Sequence, residues 1–113
     1  MTRPVTRETV REANPARGEA VLIVRGERLV VRPSFGALVA AEQELGSLFA
    51  LVERATAGEM RLSEMASLFW HCLHDRPEAL TREAVGEAVV AMGLAQASPV
   101  LRTVIAQVLM GQA

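Results

Sequence analysis

The sequence has few of the residues that catalysis, metal binding and covalent cross-linking require. It contains one cysteine, one aspartate, two histidines and no tyrosine in 113 residues. A single cysteine excludes an internal disulfide, so the fold must rest on its hydrophobic core, and we expect a cytoplasmic protein. Aromatic residues are also scarce, at 4% against 50% hydrophobic residues. This bias favours helices packed through small aliphatic side chains.

Charge of one sign is not concentrated anywhere in the chain. All 12 basic residues are arginines, 13 acidic residues are interleaved with them, and the net charge is -1. We therefore expect no nucleic-acid partner, since such a partner needs a concentrated basic face. The longest uncharged stretches, 88–101 and 103–113, are each too short to cross a bilayer, so we expect no membrane association.

The length and the order of hydrophobic patterns predict one domain after a short arm. Residues 1–18 are mostly polar and predict a flexible N-terminal arm, and residues 19–113 predict a single helical domain with a β-hairpin. The stretch EAVLIVRGERLVVRP predicts strands over residues 20–25 and 28–32. Gly26-Glu27 is typical of a two-residue type II′ turn, because glycine accepts positive φ at its first position.

Four or five short helices follow the hairpin in this reading of the pattern. Apolar residues recur at helical spacing within each segment. Capping residues mark the starts, at Ser34, Ser47, Ser63 and Thr81, and glycines mark the ends, at Gly46, Gly58 and Gly93. Ser98-Pro99 predicts the start of the last helix, because proline at the first helical position loses no hydrogen bond. The predicted fold class is α+β with helix dominant.

The stretch FWHCLHD, residues 69–75, gathers both histidines, the cysteine, the tryptophan and the aspartate. On a helix, Cys72 joins an apolar stripe, while Trp70, His71 and His74 project from the other side. A structural zinc site needs four converging ligands, and the chain has no second cysteine or further histidine. We expect no metal and a buried, unreactive Cys72. Trp70 either covers the hairpin or meets a partner.

Catalytic and cofactor-binding patterns are missing as well. The motifs GxGxxG, GxxxxGK[ST], GxSxG and HExxH do not occur, and Asp75 is the only aspartate that could take part in acid-base chemistry. The sequence therefore predicts a protein that is not an enzyme and carries no cofactor.

The last helix has more apolar surface than one core contact requires. In SPVLRTVIAQVLMGQA the only charged side chain is Arg102, so the helix is either central to the core or partly covered by another protein. A terminal apolar helix suits an amphipathic helical partner. The candidate partner-binding residues are Trp70, Val100, Val104, Val108 and Met110.

Three stretches carry a family resemblance. They are NPARGEAVLIVRGERLVVRPSFGALVAAEQELG (14–46), MRLSEMASLFWHCL (60–73) and LTREAVGEAVVAMGL (80–94). In that order they resemble the small tail proteins of gene transfer agents, which are encoded in phage-like clusters of alphaproteobacteria. The combined motifs are RGE before the first strand, GERxxxRP at the hairpin, a helix ending ELG, and LxxExVGE.

The resemblance implies a tail assembly chaperone. Such a protein would bind the helical tape-measure protein and keep it soluble while the tube polymerises around it, and other tail proteins would be further partners. Similar proteins are also labelled as tail tube proteins, so a tube subunit is the alternative, and self-association stays open. Tube subunits resemble β-sandwiches, whereas this chain has strand signal for only one hairpin.

Overall fold

The computed structural model describes residues 19–110. Two strands, β1 (Ala20–Val24) and β2 (Glu27–Val31), precede five helices: α1 (Phe35–Leu45), α2 (Leu48–Thr56), α3 (Leu62–Cys72), α4 (Arg82–Met92) and α5 (Leu94–Met110). The strands form an antiparallel two-stranded sheet. The fold is thus α+β with helix dominant, as predicted; the predicted arm over residues 1–18 lies outside the described residues.

The hairpin turn lies one residue earlier than the sequence predicts. Val24 pairs with Glu27, so Arg25 and Gly26 form the turn, with φ of 52° and 82°. Positive φ at both positions is the signature of a type I′ turn, and the predicted type II′ turn is wrong. The predicted turn would have placed Arg25 opposite Arg28, and like charges directly opposite each other are destabilising. In the observed register Arg28 lies opposite Ile23.

One core joins the hairpin to the helices. Both strands turn one face inward, through Leu22 and Val24 on β1 and through Leu29 and Val31 on β2. Helices α4 and α5 pack against β1, α3 packs between α1 and α4, and α2 contacts α1 and α5. Helix α3 buries Met65, Leu68, Phe69 and Cys72, so Cys72 lies on an apolar stripe, as predicted. An isolated hairpin is marginal in water, so this contact with the helices stabilises the sheet.

Most predicted caps hold, and α3 differs at both ends. The hydroxyls of Ser34, Ser47 and Thr81 each accept a hydrogen bond from a first-turn N–H, of Ala37, Ala50 and Ala84 respectively. Helix α3 begins at Leu62 instead of after Ser63, because the Glu64 carboxylate accepts the Arg61 N–H at 2.9 Å. It ends at Cys72, because Leu73 leaves the helix and pairs with Val31.

The last helix starts earlier than its proline indicates. It begins at Leu94, directly after Gly93, and the N–H groups of Gln96 and Ala97 donate to the Gly93 carbonyl. Pro99 therefore lies inside α5, and the predicted start at Ser98-Pro99 is wrong. The earlier start places Ala97, which is fully buried, on the same inward stripe as Leu101.

Candidate protein-binding surface

The chemically active side chains of FWHCLHD lie in three separate environments. Cys72 is in the core, and burial raises the pKa of its thiol to about 12. His71 contacts the Glu44 carboxylate, with 2.7 Å between Nε2 and Oε1. His74 lies beyond the helix, 3.2 Å from Asp75 and within 3.1 Å of the Arg32 guanidinium. Within residues 19–110, no three His, Cys, Asp or Glu side chains form a group that could hold a metal ion.

Glu44 is the centre of a polar cluster that joins three helices. Its Oε2 accepts hydrogen bonds from Arg82 at 2.7 Å and from the Ser67 hydroxyl at 3.1 Å, while Oε1 contacts His71. The Arg82 hydrogen bond, followed by that of His71, lowers the pKa of Glu44 from 4.5 to about 2, and the pKa of Arg82 is raised by the same pairing. Glu44 is thus held ionised, and the cluster connects α1, α3 and the start of α4.

Trp70 is half-buried at the edge of this cluster. The Arg76 guanidinium lies over its ring, 4.4 Å from the centroid, and Arg82 lies at 5.6 Å. Arg76 also donates to the Trp70 carbonyl oxygen at 2.8 Å. The indole also packs against the core. A partner reaching Trp70 would therefore have to displace Arg76.

The candidate residues of the last helix do not form one exposed face. Val104 is 1% exposed and belongs to the core, so it offers no surface to a partner in this fold. Val100 is half-buried against the core, and the side chains of Val108 and Met110 lie outside the described set. Val104 is buried because α5 packs on β1 and α4 through its stripe of Ala97, Leu101, Val104 and Ile105.

An apolar groove runs between α3 and α4, and sequence reasoning missed it. Small residues form its floor, and two partly exposed aliphatic side chains, Leu62 (44%) and Val90 (61%), stand in it. A Cβ added at Gly86 would lie 3.8 Å from the Cβ of Ala66, so a side chain at residue 86 would occupy the groove. The sequence signal was Gly86 itself, because a glycine inside a helical pattern usually has a packing or functional reason.

The groove has an acidic side. Glu83 and Glu87, one helical turn apart on α4, line it together with Leu62, Ser63, Ala66, Gly86, Val90 and Ala91. We call this set the α3–α4 groove. Its composition, apolar with carboxylates at one side, suits an apolar helix face flanked by basic side chains.

Other large apolar side chains are exposed singly. Phe35 is 85% exposed at the start of α1, and Phe49 is 80% exposed at the start of α2. In the part of the chain that the structure describes, no single helix has the length and hydropathy to cross a membrane. Two sharply bent pairs, α1 with α2 and α4 with Leu94–Gln107, reach that threshold only when each pair is taken together.

The fold defines a small, helix-dominant α+β protein with an N-terminal hairpin and an apolar groove. A family model described as "Phage tail tube protein, GTA-gp10" matches residues 17–111, and the chain belongs to this family of phage and gene transfer agent tail proteins. The match confirms the resemblance found from the three sequence stretches. Comparisons with curated proteins and with solved structures gave no match.

Proposed function

We propose that this chain is a non-enzymatic tail assembly chaperone that binds the tape-measure protein through the α3–α4 groove. Membership of a phage tail family supports a role in tail assembly, which would take place in the cytoplasm. The observation that carries the proposal is the groove, an exposed apolar seat between two helices in a protein of a tail family. An exposed apolar patch with a polar rim is typical of a protein interaction site.

The residues that line the groove suit a bound helix. Gly86 and Ala66 allow a partner backbone to approach closely, and Leu62 and Val90 supply apolar contact. Helices recognised in such grooves insert apolar residues at i, i+3, i+4 and i+7. Glu83, together with Glu87, whose carboxylate lies 3.8 Å from Arg25, favours lysine or arginine beside that apolar face. The proposed ligand is therefore an amphipathic segment of the tape-measure protein with basic flanks.

The tube subunit remains the second candidate, because the family description names a tail tube protein. Tube subunits join sheets into a ring, and this requires an open strand edge on both sides of each subunit. In this fold the outer edge of β2 is occupied: Val30 accepts from the His74 N–H, and the Arg32 N–H donates to Cys72. This occupancy favours the chaperone over the tube subunit.

The test is co-expression of this chain with the tape-measure protein from the same genome, followed by capture of the soluble complex. Gly86→Leu should weaken binding at least about tenfold, because the new side chain fills the groove, while leucine at a helical position is itself favourable. Gly36→Leu in α1 is the matched control: the same change is made in another helix, where a new Cβ meets open space.

The outcomes separate the candidates. Retention of the tape-measure protein by Gly36→Leu and its loss by a folded Gly86→Leu variant would support the proposed groove. Equal binding by both variants would reject the groove and direct attention to the earlier candidates Trp70, Val100, Val108 and Met110, with Val100→Glu as the next variant. Rings seen by electron microscopy in the purified chain, with no tape-measure binding, would favour the tube subunit.

A further inference from the structure

Within residues 19–110, the outer edge of β1 has backbone groups without a hydrogen-bond partner. Along each strand of an antiparallel pair, the backbone N–H and C=O groups of one residue bond to the partner strand, and those of the next residue point away from it. Val30 points outward on β2, where it accepts from His74, and its partner in the register is Val21. Val21 and Ile23 therefore direct their N–H and C=O groups away from β2. Among residues 19–110, neither has a backbone hydrogen-bond partner on that side.

The β1 strand itself lacks the residues that prevent strands from associating. Exposed edge strands are normally protected by charges, prolines or bulges. The β1 sequence is AVLIV, with none of these, and Ile23 is 47% exposed. By contrast, β2 carries Glu27 and Arg28 at its start. The apolar open edge of β1 therefore favours addition of another strand.

A depression borders Ile23 on the side of α4. Three alanines of α4 line it, Ala84, Ala88 and Ala91, together with Arg25 and Gly26 of the turn, Glu87, Met92 and Gln96. Along this alanine strip α4 presents small side chains next to Ile23; Ala84 and Ala88 are buried and Ala91 is exposed. We call Val21, Ile23 and this alanine strip the β1 edge surface.

We propose that the β1 edge surface binds a second copy of the same chain. The two β1 strands would run antiparallel about a two-fold axis at Leu22, so that Val21 of each copy lies opposite Ile23 of the other. Both of these residues point outward, so the register forms hydrogen bonds in both directions. The result is a continuous four-stranded sheet, which is more stable than an isolated hairpin.

A second copy is favoured because, among residues 19–110, the outer edge of β1 is open and that of β2 is not. Head-to-tail addition needs two different free edges, and β2 is occupied at Val30 and Arg32. An isologous pair uses the same edge twice and closes after two copies. Open and closed edges in one sheet thus specify a dimer instead of a filament or ring. This inference is independent of the proposed chaperone role, although the two surfaces meet at Glu87 and Ala91 on α4.

The test is the oligomeric state of the full chain by sedimentation across a range of concentrations. Ile23→Lys should weaken dimerisation about a hundredfold or more, because each dimer loses two buried isoleucines and gains two like charges. Ile23 is half exposed in the single chain, so the variant should fold, and circular dichroism checks this. Phe49→Lys makes a comparable change at a site that is 80% exposed and on α2, and it should leave the dimer intact.

Amide hydrogen exchange then locates the contact. The N–H groups of Val21 and Ile23 should be protected at concentrations where the dimer forms and should exchange rapidly on dilution. A wild-type chain that stays monomeric at high concentration would overturn the proposal. A dimer unaffected by Ile23→Lys, or one whose formation does not protect these two amides, would overturn it equally.

Discussion

At the scale of single residues, Arg25 has the least favourable backbone conformation in the hairpin. Its φ of 52° is left-handed, which costs an L-residue with a long side chain roughly 1 kcal/mol, whereas asparagine tolerates it. We predict that Arg25→Asn raises the free energy of unfolding by about 0.5–1 kcal/mol. Urea denaturation followed by circular dichroism measures the change.

The control for this prediction removes the other contact of Arg25. Its guanidinium lies 3.8 Å from Glu87, but both side chains are well exposed, so the pair contributes little. Glu87→Gln should therefore change stability by less than about 0.5 kcal/mol. A loss of stability in Arg25→Asn would show that the arginine side chain matters more than its backbone conformation.

Glu44 should make stability depend on pH in the acid range. Its pKa in the folded protein, about 2, lies below the ordinary value of 4.5, mainly because of the Arg82 hydrogen bond. Its contribution is therefore fully present above pH 4.5 and is lost as pH falls from 4.5 toward 2. We predict that wild type exceeds Glu44→Gln in stability by about 1 kcal/mol at neutral pH, a size typical of a surface ion pair, and that this difference disappears near pH 2.

The control for Glu44→Gln is a glutamate whose carboxylate makes no hydrogen bond or ion pair. Glu53→Gln on α2 is suitable, because Glu53 is exposed and its carboxylate makes no hydrogen bond or ion pair within the described residues. Its difference from wild type should stay near zero over the same pH range. If the Glu44 difference persisted unchanged to pH 2, the ionised carboxylate would not be what holds the cluster together.

The hairpin turn at Arg25 and the cluster at Glu44 also show the limit of prediction from sequence. Gly26 indicated a hairpin, but the choice between the two turn positions depended on which residue would face Arg28 across the strands. The partners of Glu44, at residues 67, 71 and 82, come from two later helices. No local pattern specifies such contacts, because they depend on how the helices pack.

At the scale of elements, the interior proline of α5 is the clearest departure from local preference. A proline inside a helix has no N–H to donate, and its ring crowds the carbonyl four residues earlier, here that of Ala95. We predict that Pro99→Ala raises the free energy of unfolding by about 1–3 kcal/mol, measured by urea denaturation. Pro99 is exposed, so the substitution leaves no cavity.

Ser98→Ala next to it serves as the reference, since it changes composition without restoring a hydrogen bond, and it should have an effect below about 0.5 kcal/mol. Lower stability in Pro99→Ala would mean that a bend at the proline is needed to seat Leu101, which is 3% exposed, in the core.

Helix boundaries were predictable where a local signal acted alone. Ser34, Ser47 and Thr81 cap their helices as expected, because a side-chain oxygen and a nearby N–H suffice. Prediction failed where a distant contact competed with the signal. Leu73 leaves α3 for a bridge to Val31 of β2, which is 42 positions earlier in the chain. Gly86 marked an unusual helical position, but the groove between α3 and α4 exists only once the two helices pack, so the glycine alone did not predict it.

At the scale of the whole molecule, Cys72 is a probe of cooperativity. It is 1% exposed, at the point where α3, the Leu73 bridge and the hairpin meet, and burial raises the pKa of its thiol to about 12. A thiol reagent reacts with the thiolate, so near pH 8 the folded chain should be almost inert. Because the core is shared by the hairpin and helices, exposure of Cys72 should require unfolding of the whole domain.

We predict that the labelling rate of Cys72 rises with urea along the same slope as global unfolding, about 1–2 kcal/mol per molar for a small domain. The reference rate is that of the same chain in concentrated urea, where the thiol is free and its pKa is ordinary. A fast rate that is insensitive to urea would show local opening at the end of α3. In that case the pairing of Leu73 with Val31 would break easily, and the outer edge of β2 could become free without unfolding of the domain. Strand addition at β2 would then become available as well as at β1, and the argument for a closed dimer would fail.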